Sequence, residues 1–218
     1  MSSLTQYDTV LFGLSYSVYT RIARLVLEEK GVGYRFQEVD VFAASGVPSE
    51  HLGRHPFGRI PVLDHDGFRL YETGAITRYV DEAFPGPALQ PAAPTSRARM
   101  NQIISSLDAY AYRPMIWDIF VQRISVPSSG GVPDEHAVQT ALPMARTCLS
   151  VLAAQLAERH YLVEDSLSLA DLHAAPMLMY LAATPEGTQL LEEHPTLQAW
   201  LRQMSARESV RSTQGKYG

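Results

Sequence analysis

The spacing of apolar residues over the first 84 positions predicts a small domain in which strands and helices alternate. Short apolar or alternating runs closed by a turn indicate strands, and the Asp66-Gly67 pair between two such runs indicates a tight hairpin. The first amphipathic stretch ends at Gly31, as expected for a helix. The predicted order is a strand over 9–12, a helix over 17–30, a strand over 35–41, a short helix or turn over 50–55, a hairpin over 61–71 and a helix over 73–83.

The pattern changes at a segment rich in proline. Residues 84–95 hold four prolines and a glycine in twelve positions, which is typical of a linker. Beyond it, helical patterns cover 96–123, 136–159 and 196–207, and Ser168-Leu169-Ala170-Asp171 predicts a capped helix start. The sequence therefore predicts an α/β domain over 1–84 (β-α-β-α-β-β-α), a linker over 85–95 and an all-α domain over 96–218.

The composition narrows the classes of function. The chain has 218 residues and a net charge of -5, so it offers no general basic character for binding nucleic acid. No run approaches the roughly 18 apolar residues of a membrane span, and the first residues lack the pattern of a signal peptide. Cys148 is the single cysteine, which excludes an internal disulfide. We expect a cytosolic protein that binds neither nucleic acid nor a membrane.

Pro61 precedes the hairpin and has no N–H to donate to a sheet. One interpretation is a trans proline that starts an edge strand. The other is a cis Ile60-Pro61 bond, which turns the backbone of Ile60 away from the sheet. In that case the N–H and C=O of Ile60 remain available to an extended peptide ligand.

Glu72 and Thr73 stand where the hairpin ends and the next helix begins. Thr73 suits an N-cap, and the free amides of a helix N-terminus attract carboxylates. Glu72 suits an ammonium group, so the pair suits the α-amino-carboxylate end of an amino acid. The alternative is a simple cap beside an ordinary exposed acid.

Ser17 opens the first predicted helix, and its hydroxyl suits either capping or the binding of an anion. A thiolate fits well, because a free thiol has a pKa near 8.5, roughly, and is little ionised at neutral pH. One hydrogen bond and the helix dipole lower such a pKa by about a unit or more.

Three further candidates are interpreted as structural. His51 and His55 are four residues apart, the spacing of a metal pair on a helix, but no third ligand is evident, so we expect a solvated helix face and no metal. Cys148 lies on an apolar helix face, which predicts a buried core thiol. Asp171 is expected to cap its helix rather than to catalyse.

Five short motifs in order resemble a cytosolic glutathione transferase. They are S-x-Y-x-R with L-E-E-K-G-V (17–32), E-H-L-x-R-x-P-F-G-x-I-P-V (50–62), E-T-x-A-I (72–76), S-L-A-D-L (168–172) and A-T-P-E (183–186). The resemblance is strongest to the serine-type, phi-like branch and its bacterial relatives. It implies a thioredoxin-like N-terminal domain that binds glutathione as a co-substrate, an all-helical C-terminal domain and a homodimer.

The resemblance also implies roles for residues of the first domain. Ser17 stabilises the glutathione thiolate, Ile60 before a cis Pro61 pairs with the cysteinyl part, and Glu72 with Thr73 holds the γ-glutamyl end. Tyr16 is the nearest rival for the thiol, because some branches use a tyrosine, and Ser15 is a weaker one.

The sequence departs from the family at the glycyl end of glutathione. The usual His-Lys pair is absent, and its aligned positions are near Gly46 and Val47. Arg59, where glutamine is usual, is predicted to supply the positive charge.

A pocket for a small apolar electrophile is expected between the domains, along the helix after the linker. Aromatic and methionine side chains suit such a pocket, although core packing is the alternative for most of them. The predicted pocket residues are Tyr16, Tyr110, Tyr112, Met115, Ile116 and Phe120. The predicted function is conjugation of glutathione to apolar electrophiles. The alternatives are another glutathione-dependent enzyme (dehalogenase, isomerase or peroxidase) or a non-catalytic binder.

Overall fold

The computed structural model describes residues 8–157 and 159–215 of the chain. The chain forms two compact units: the first contains residues up to Pro87 together with the segment from Ser212, and the second begins at Ala88 and continues to Arg211. The first has a four-stranded mixed sheet with helices, and the second is helical, so the predicted fold class is confirmed. Across the described ranges, no helix is both long enough and apolar enough to cross a membrane.

The first unit follows the predicted order of elements. Its elements are β1 (Thr9–Gly13), α1 (Val18–Glu29), β2 (Arg35–Glu38), α2 (Ser49–Leu52), β3 (Val62–His65), β4 (Phe68–Tyr71) and α3 (Thr73–Ala83). Strand β2 is shorter than the predicted 35–41. The hairpin turn consists of Asp66 and Gly67, with φ of 51° and 80°, which is the positive-φ geometry of a tight two-residue turn.

The register of the sheet determines where its loops meet. The strand order is β2-β1-β3-β4, with β1 parallel to β2 and antiparallel to β3, and β3 antiparallel to β4. Val62, the first residue of β3, pairs with Phe12 on one side and Tyr71 on the other. The ends of β1 and β4 and the start of β3 therefore share one edge of the sheet. Gly13 pairs with Glu38, so β2 ends at the same edge.

A buried ion pair joins the end of α1 to α3. Lys30 Nζ lies 3.2 Å from Asp81 Oδ1, and both side chains are almost fully buried. The ammonium also donates to the carbonyls of Asp81 and Pro87, each at 3.0 Å. These bonds compensate the buried charge and hold the end of α1 against α3.

The second unit contains one long helical stretch and several shorter helices. Helix α4 begins two residues before the predicted start, and wider, π-type turns follow it over Leu107–Ala111 and Arg113–Ser125. The elements are α4 (Pro94–Ser106), the π-type turns, α5 (Val126–Ser128), α6 (Glu135–Leu156), α7 (Leu169–Ala182), α8 (Pro185–Glu192), α9 (Pro195–Ser205) and α10 (Glu208–Ser212). The sequence patterns did not predict α8 and α10 as separate helices.

Asp171 is a buried acid of the second unit whose carboxylate accepts four hydrogen bonds. Its carboxylate is fully buried and accepts from the backbone N–H groups of Leu162 (2.9 Å) and Ser168 (3.0 Å). It also accepts from the Ser168 hydroxyl at 2.7 Å and from Trp200 Nε1 at 3.0 Å. The predicted capping box at the start of α7 is confirmed. Burial raises the pKa of Asp171, and the four hydrogen bonds oppose that shift.

Candidate functional site

Three predicted site segments meet at one edge of the sheet in the first unit. Ser17 follows β1, Pro61 immediately precedes β3, and Glu72 immediately follows β4. The pairing of Val62 with both Phe12 and Tyr71 brings these three positions to the same edge. This edge is the candidate site.

Ser17 is the N-cap of α1, and it is half-buried. Its hydroxyl oxygen accepts from the N–H of Thr20 at 3.4 Å, a long capping bond. A serine hydroxyl also has one hydrogen to donate. Within the described ranges no acceptor contacts that hydrogen, so it is available to an anion at the positive end of the helix.

Glu38 fixes the loop between β1 and α1. Its carboxylate accepts from the N–H of Ser15, at 3.2 Å to one oxygen and 3.4 Å to the other. The sequence analysis did not identify Glu38. No local motif marks this contact, because it depends on the parallel pairing of β1 and β2.

The Ile60-Pro61 peptide bond is cis, so the second of the two interpretations of Pro61 is correct. Pro61 itself is buried, and β3 begins at the residue after it. Among the described residues, Ile60 has no backbone hydrogen bond to the rest of the chain. Its N–H and C=O are therefore free to pair with a ligand backbone.

The residue before Ile60 is anchored through its backbone. The Arg59 carbonyl accepts from Nε2 of His51 at 2.7 Å, and the His51 ring is completely buried. The Arg59 side chain is exposed, and none of the described carboxylates forms an ion pair with its guanidinium group. Arg59 thus presents an uncompensated positive charge beside Ile60.

Glu72 occupies a strained position at the start of α3. Its φ of 70° and ψ of 116° are unusual for a residue with a side chain, at a cost of about 1–3 kcal/mol. The Glu72 side chain is exposed and makes no capping bond. The structure makes Glu72 the N-cap and Thr73 the first helical residue, so the expectation that Thr73 is the N-cap was wrong.

His55 is a residue that the sequence analysis did not connect with this site. It is buried, its Nδ1 accepts from the N–H of Phe57 at 3.2 Å, and its ring lies 4.6 Å from that of Tyr71. Burial lowers the pKa of His55 below its ordinary value, and the charge of Glu72 opposes this shift. A neutral His55 therefore supports the segment between α2 and β3.

The expectation of a solvated face carrying His51 and His55 was wrong. Both side chains are buried, because they pack under the segment that leads to Pro61. In the part of the chain that the structure describes, no group of three or more His, Cys, Asp or Glu side chains is arranged to hold a metal.

The second unit contains a cavity of about 340 Å³ between α6 and the stretch that includes α4 and the π-type turns after it. Tyr110 lines it and is largely exposed. Cys148 also lines it and is only half-buried, so the expectation of a fully buried core thiol was wrong. Burial nevertheless raises the pKa of Cys148.

The other predicted electrophile-pocket residues differ in exposure. Met115, Ile116 and Phe120 are buried, and Phe120 stacks on Tyr180 with ring centroids 4.8 Å apart. Tyr16 and Tyr112 are half-buried. Their role in binding an electrophile stays a prediction.

Comparison with known proteins gives a uniform result. The models "Glutathione S-transferase, N-terminal domain" and "Glutathione S-transferase, C-terminal domain" match residues 11–88 and 104–208. Glutathione S-transferase 1 of Zea mays is 30% identical over 200 residues, covering 92% of each chain. Glutathione S-transferase F10 of Arabidopsis thaliana is 29% identical over 197 residues, covering 89% of this chain and 91% of that protein.

Solved structures agree with these relatives. The crystal structure of glutathione transferase F7 from Populus trichocarpa has a TM-score of 0.84 and 29% identity, with 94% of this chain and 97% of that chain covered. Glutathione S-transferase I from maize, in complex with an atrazine glutathione conjugate, has a TM-score of 0.83 and 29% identity, with 94% and 95% covered. This chain belongs to the glutathione S-transferase family and, as its motifs predicted, is a transferase of the phi-like type.

Proposed function

We propose that the protein is a cytosolic glutathione S-transferase in which Ser17 stabilises the thiolate of bound glutathione. The observation that carries this proposal is the register of the sheet, which brings Ser17, the free backbone of Ile60 and the exposed carboxylate of Glu72 to one edge. These three groups suit, in turn, the thiol, the peptide backbone and the ammonium group of glutathione.

Glutathione docks as a short extended strand beside Ile60. Its γ-glutamyl ammonium group pairs with Glu72, and the carboxylate of that end accepts from the free N–H groups at the start of α3, beside Thr73. The glycyl carboxylate pairs with Arg59, whose guanidinium group is exposed and close to Ile60 in sequence.

The chemistry is a nucleophilic substitution or addition. Binding releases the thiol proton to solvent, and the Ser17 hydroxyl donates a hydrogen bond to the resulting thiolate. The sulfur lone pair forms a C–S bond with an electrophilic carbon of an apolar substrate. In a substitution the leaving group departs with the electron pair of its bond to that carbon, and in an addition the electron pair of the broken π bond takes a proton from solvent. The protein contributes positioning and a lowered thiol pKa rather than acid–base catalysis.

Glutathione binding is tested by calorimetry on the wild type and on Glu72→Gln. We expect the dissociation constant to rise by about 10-fold or more in the variant, because a hydrogen bond to a charged group contributes about 1.5–3 kcal/mol. Glu82→Gln is a matched control, since Glu82 is an exposed acid at the far end of the same helix.

A ligand variant sharpens the assignment of Glu72. Glutathione without its α-amino group should bind the wild type and Glu72→Gln with equal affinity, because the partner of Glu72 is then missing. Absence of glutathione binding to the wild type at millimolar concentration would refute the proposed function. Unequal affinities for the deaminated ligand would refute the pairing with Glu72 alone.

We also propose that the protein is a homodimer. Phe57 is 71% exposed although it is large and apolar, and in the second unit Tyr110 and Val151 are exposed beside a cavity. Exposed apolar patches of this kind support an interface between protein chains.

Sedimentation equilibrium at micromolar concentration is expected to give a dimer. Phe57→Ser should shift the mass towards the monomer, because it removes an exposed apolar side chain. Phe68→Ser is the control, since Phe68 is less exposed than Phe57 and its ring packs against Tyr79 of the same chain, with centroids 5.2 Å apart. A monomeric wild type would contradict the proposal.

A further inference from the structure

Two segments that are distant in sequence contact the loop between β1 and α1 inside the first unit. Glu38, at the end of β2, accepts from the N–H of Ser15. Residues 212–215 form the second segment, which we call the return segment because it belongs to the first unit although it follows the helices of the second. The return segment is about 200 residues from the loop in sequence and approaches it at Gly215.

Gly215 makes the closest approach between the return segment and the loop. A Cβ atom placed on Gly215 would lie 2.6 Å from the carbonyl oxygen of Ser15 and 3.3 Å from Cα of Tyr16. Both are backbone atoms of the loop, so a flexible side chain cannot move aside to relieve the contact. The φ of Gly215 lies outside the left-handed region, so the contact alone requires glycine there.

The return segment is itself anchored. Thr213 is completely buried, and Arg24 of α1 donates to the carbonyl of Ser212 at 3.4 Å. Arg24 is held in turn by the Tyr34 hydroxyl at 3.2 Å. Since the segment is fixed at Ser212 and Thr213, close to Gly215 in sequence, an added atom at Gly215 would displace the loop.

We propose that Gly215 is a positioning residue for the reaction: its close packing against Ser15 and Tyr16 sets the place of the Ser17 hydroxyl. This inference rests on the proposed function, in which that hydroxyl donates to the thiolate. The structure offers a direct route for the effect, because Ser15, Tyr16 and Ser17 are consecutive and the N–H of Ser17 donates to the Leu14 carbonyl at 3.0 Å.

The test is Gly215→Ala, with Gln214→Ala as the matched control. Gln214 is exposed and adjacent, so its truncation leaves the contact with the loop intact. We expect the pKa of the bound glutathione thiol to rise by about one unit in Gly215→Ala. We expect kcat at neutral pH to fall about threefold, because the greater nucleophilicity of a more basic thiolate offsets part of the tenfold fall in the ionised fraction. The KM for glutathione should be nearly unchanged, since the misplaced group acts on the thiolate rather than on binding. Gln214→Ala should behave as the wild type.

A double variant separates positioning from general destabilisation. In the Ser17→Ala background, Gly215→Ala should cause no further rise in the thiol pKa, because the group that it positions is gone. A further rise of equal size in that background would overturn the inference, as would an unchanged pKa in Gly215→Ala alone.

Hydrogen exchange provides a second measurement that needs no activity. Peptides covering residues 14–17 should exchange faster in Gly215→Ala than in Gln214→Ala, because the loop loses its close packing. Equal exchange in the two variants would overturn the inference. A thiol pKa that Ser17→Ala raises and Gly215→Ala does not would overturn only this inference, whereas a pKa unchanged in Ser17→Ala would overturn the role of Ser17 itself.

Discussion

Ser17→Ala is expected to raise the pKa of the bound glutathione thiol by about 1–2 units, because a hydrogen bond to a charged group contributes about 1.5–3 kcal/mol. The Ser17 hydroxyl lies at the N-cap of α1, and its hydrogen is available to the thiolate. A spectroscopic titration of the bound thiolate measures the shift directly.

The same variant should be slower at neutral pH and recover in alkali. At a pH below the thiol pKa of both the wild type and the variant, the ionised fraction of bound glutathione falls tenfold for each unit by which the pKa is raised. The more basic thiolate is a better nucleophile, which compensates by about threefold per unit, so the net loss of rate is roughly 3- to 10-fold for a pKa rise of about 1–2 units. The acid limb of the pH–rate profile should therefore move to higher pH. Above the new pKa, the rate of the variant should equal or exceed that of the wild type, because its thiolate is the more basic nucleophile.

Two further variants separate the rival groups on the same loop. Ser15→Ala and Tyr16→Phe each remove one hydroxyl from a neighbour of Ser17 while leaving the N-cap in place. Both should titrate as the wild type does. A shift in Tyr16→Phe with none in Ser17→Ala would transfer the thiolate role to Tyr16. Thermal unfolding of all three shows whether the lost cap, which contributes about 1 kcal/mol, explains any change in activity.

Local signals in the sequence were sufficient for most of the first unit. Asp66-Gly67 predicted a hairpin turn that the structure places at those two residues, and the predicted helix over 73–83 has the same bounds. These features depend on turn chemistry and on helical periodicity, which a few neighbouring residues determine.

The features that the sequence did not reveal depend on contacts between distant residues. His51 and His55 were expected on a solvated helix face because no third metal ligand was evident, yet they are buried because the following segment folds over them. Glu38 and Gly215 reach the loop before α1 through strand pairing and through a return of the chain. No periodicity or motif encodes such contacts, so the candidate site could be predicted only as far as its local motifs.

Asp171→Ala is expected to cause the largest loss of stability in the second unit. The substitution removes the acceptor for two backbone N–H groups and for Trp200 Nε1, all in a buried environment. Each buried donor left unsatisfied costs about 1–3 kcal/mol, so we expect the free energy of unfolding to fall by about 3–5 kcal/mol. Urea unfolding followed by tryptophan fluorescence reports on this unit, because Trp117 and Trp200, the two tryptophans of the chain, both lie in it. Asp165→Ala, which replaces an exposed acid close in sequence, should change the midpoint little.

The loss should also depend on pH in a definite direction. Burial raises the pKa of Asp171 above its ordinary value of 3.8, so the stability that this shift contributes is present in full below that value. It is lost as the pH rises through the pKa of the folded protein, because the buried carboxyl must then carry its charge. The alanine variant lacks this titration, so the stability difference between wild type and variant should narrow as the pH rises from about 4. A difference that widens over that range would show that the four donors outweigh burial and lower the pKa of Asp171 instead.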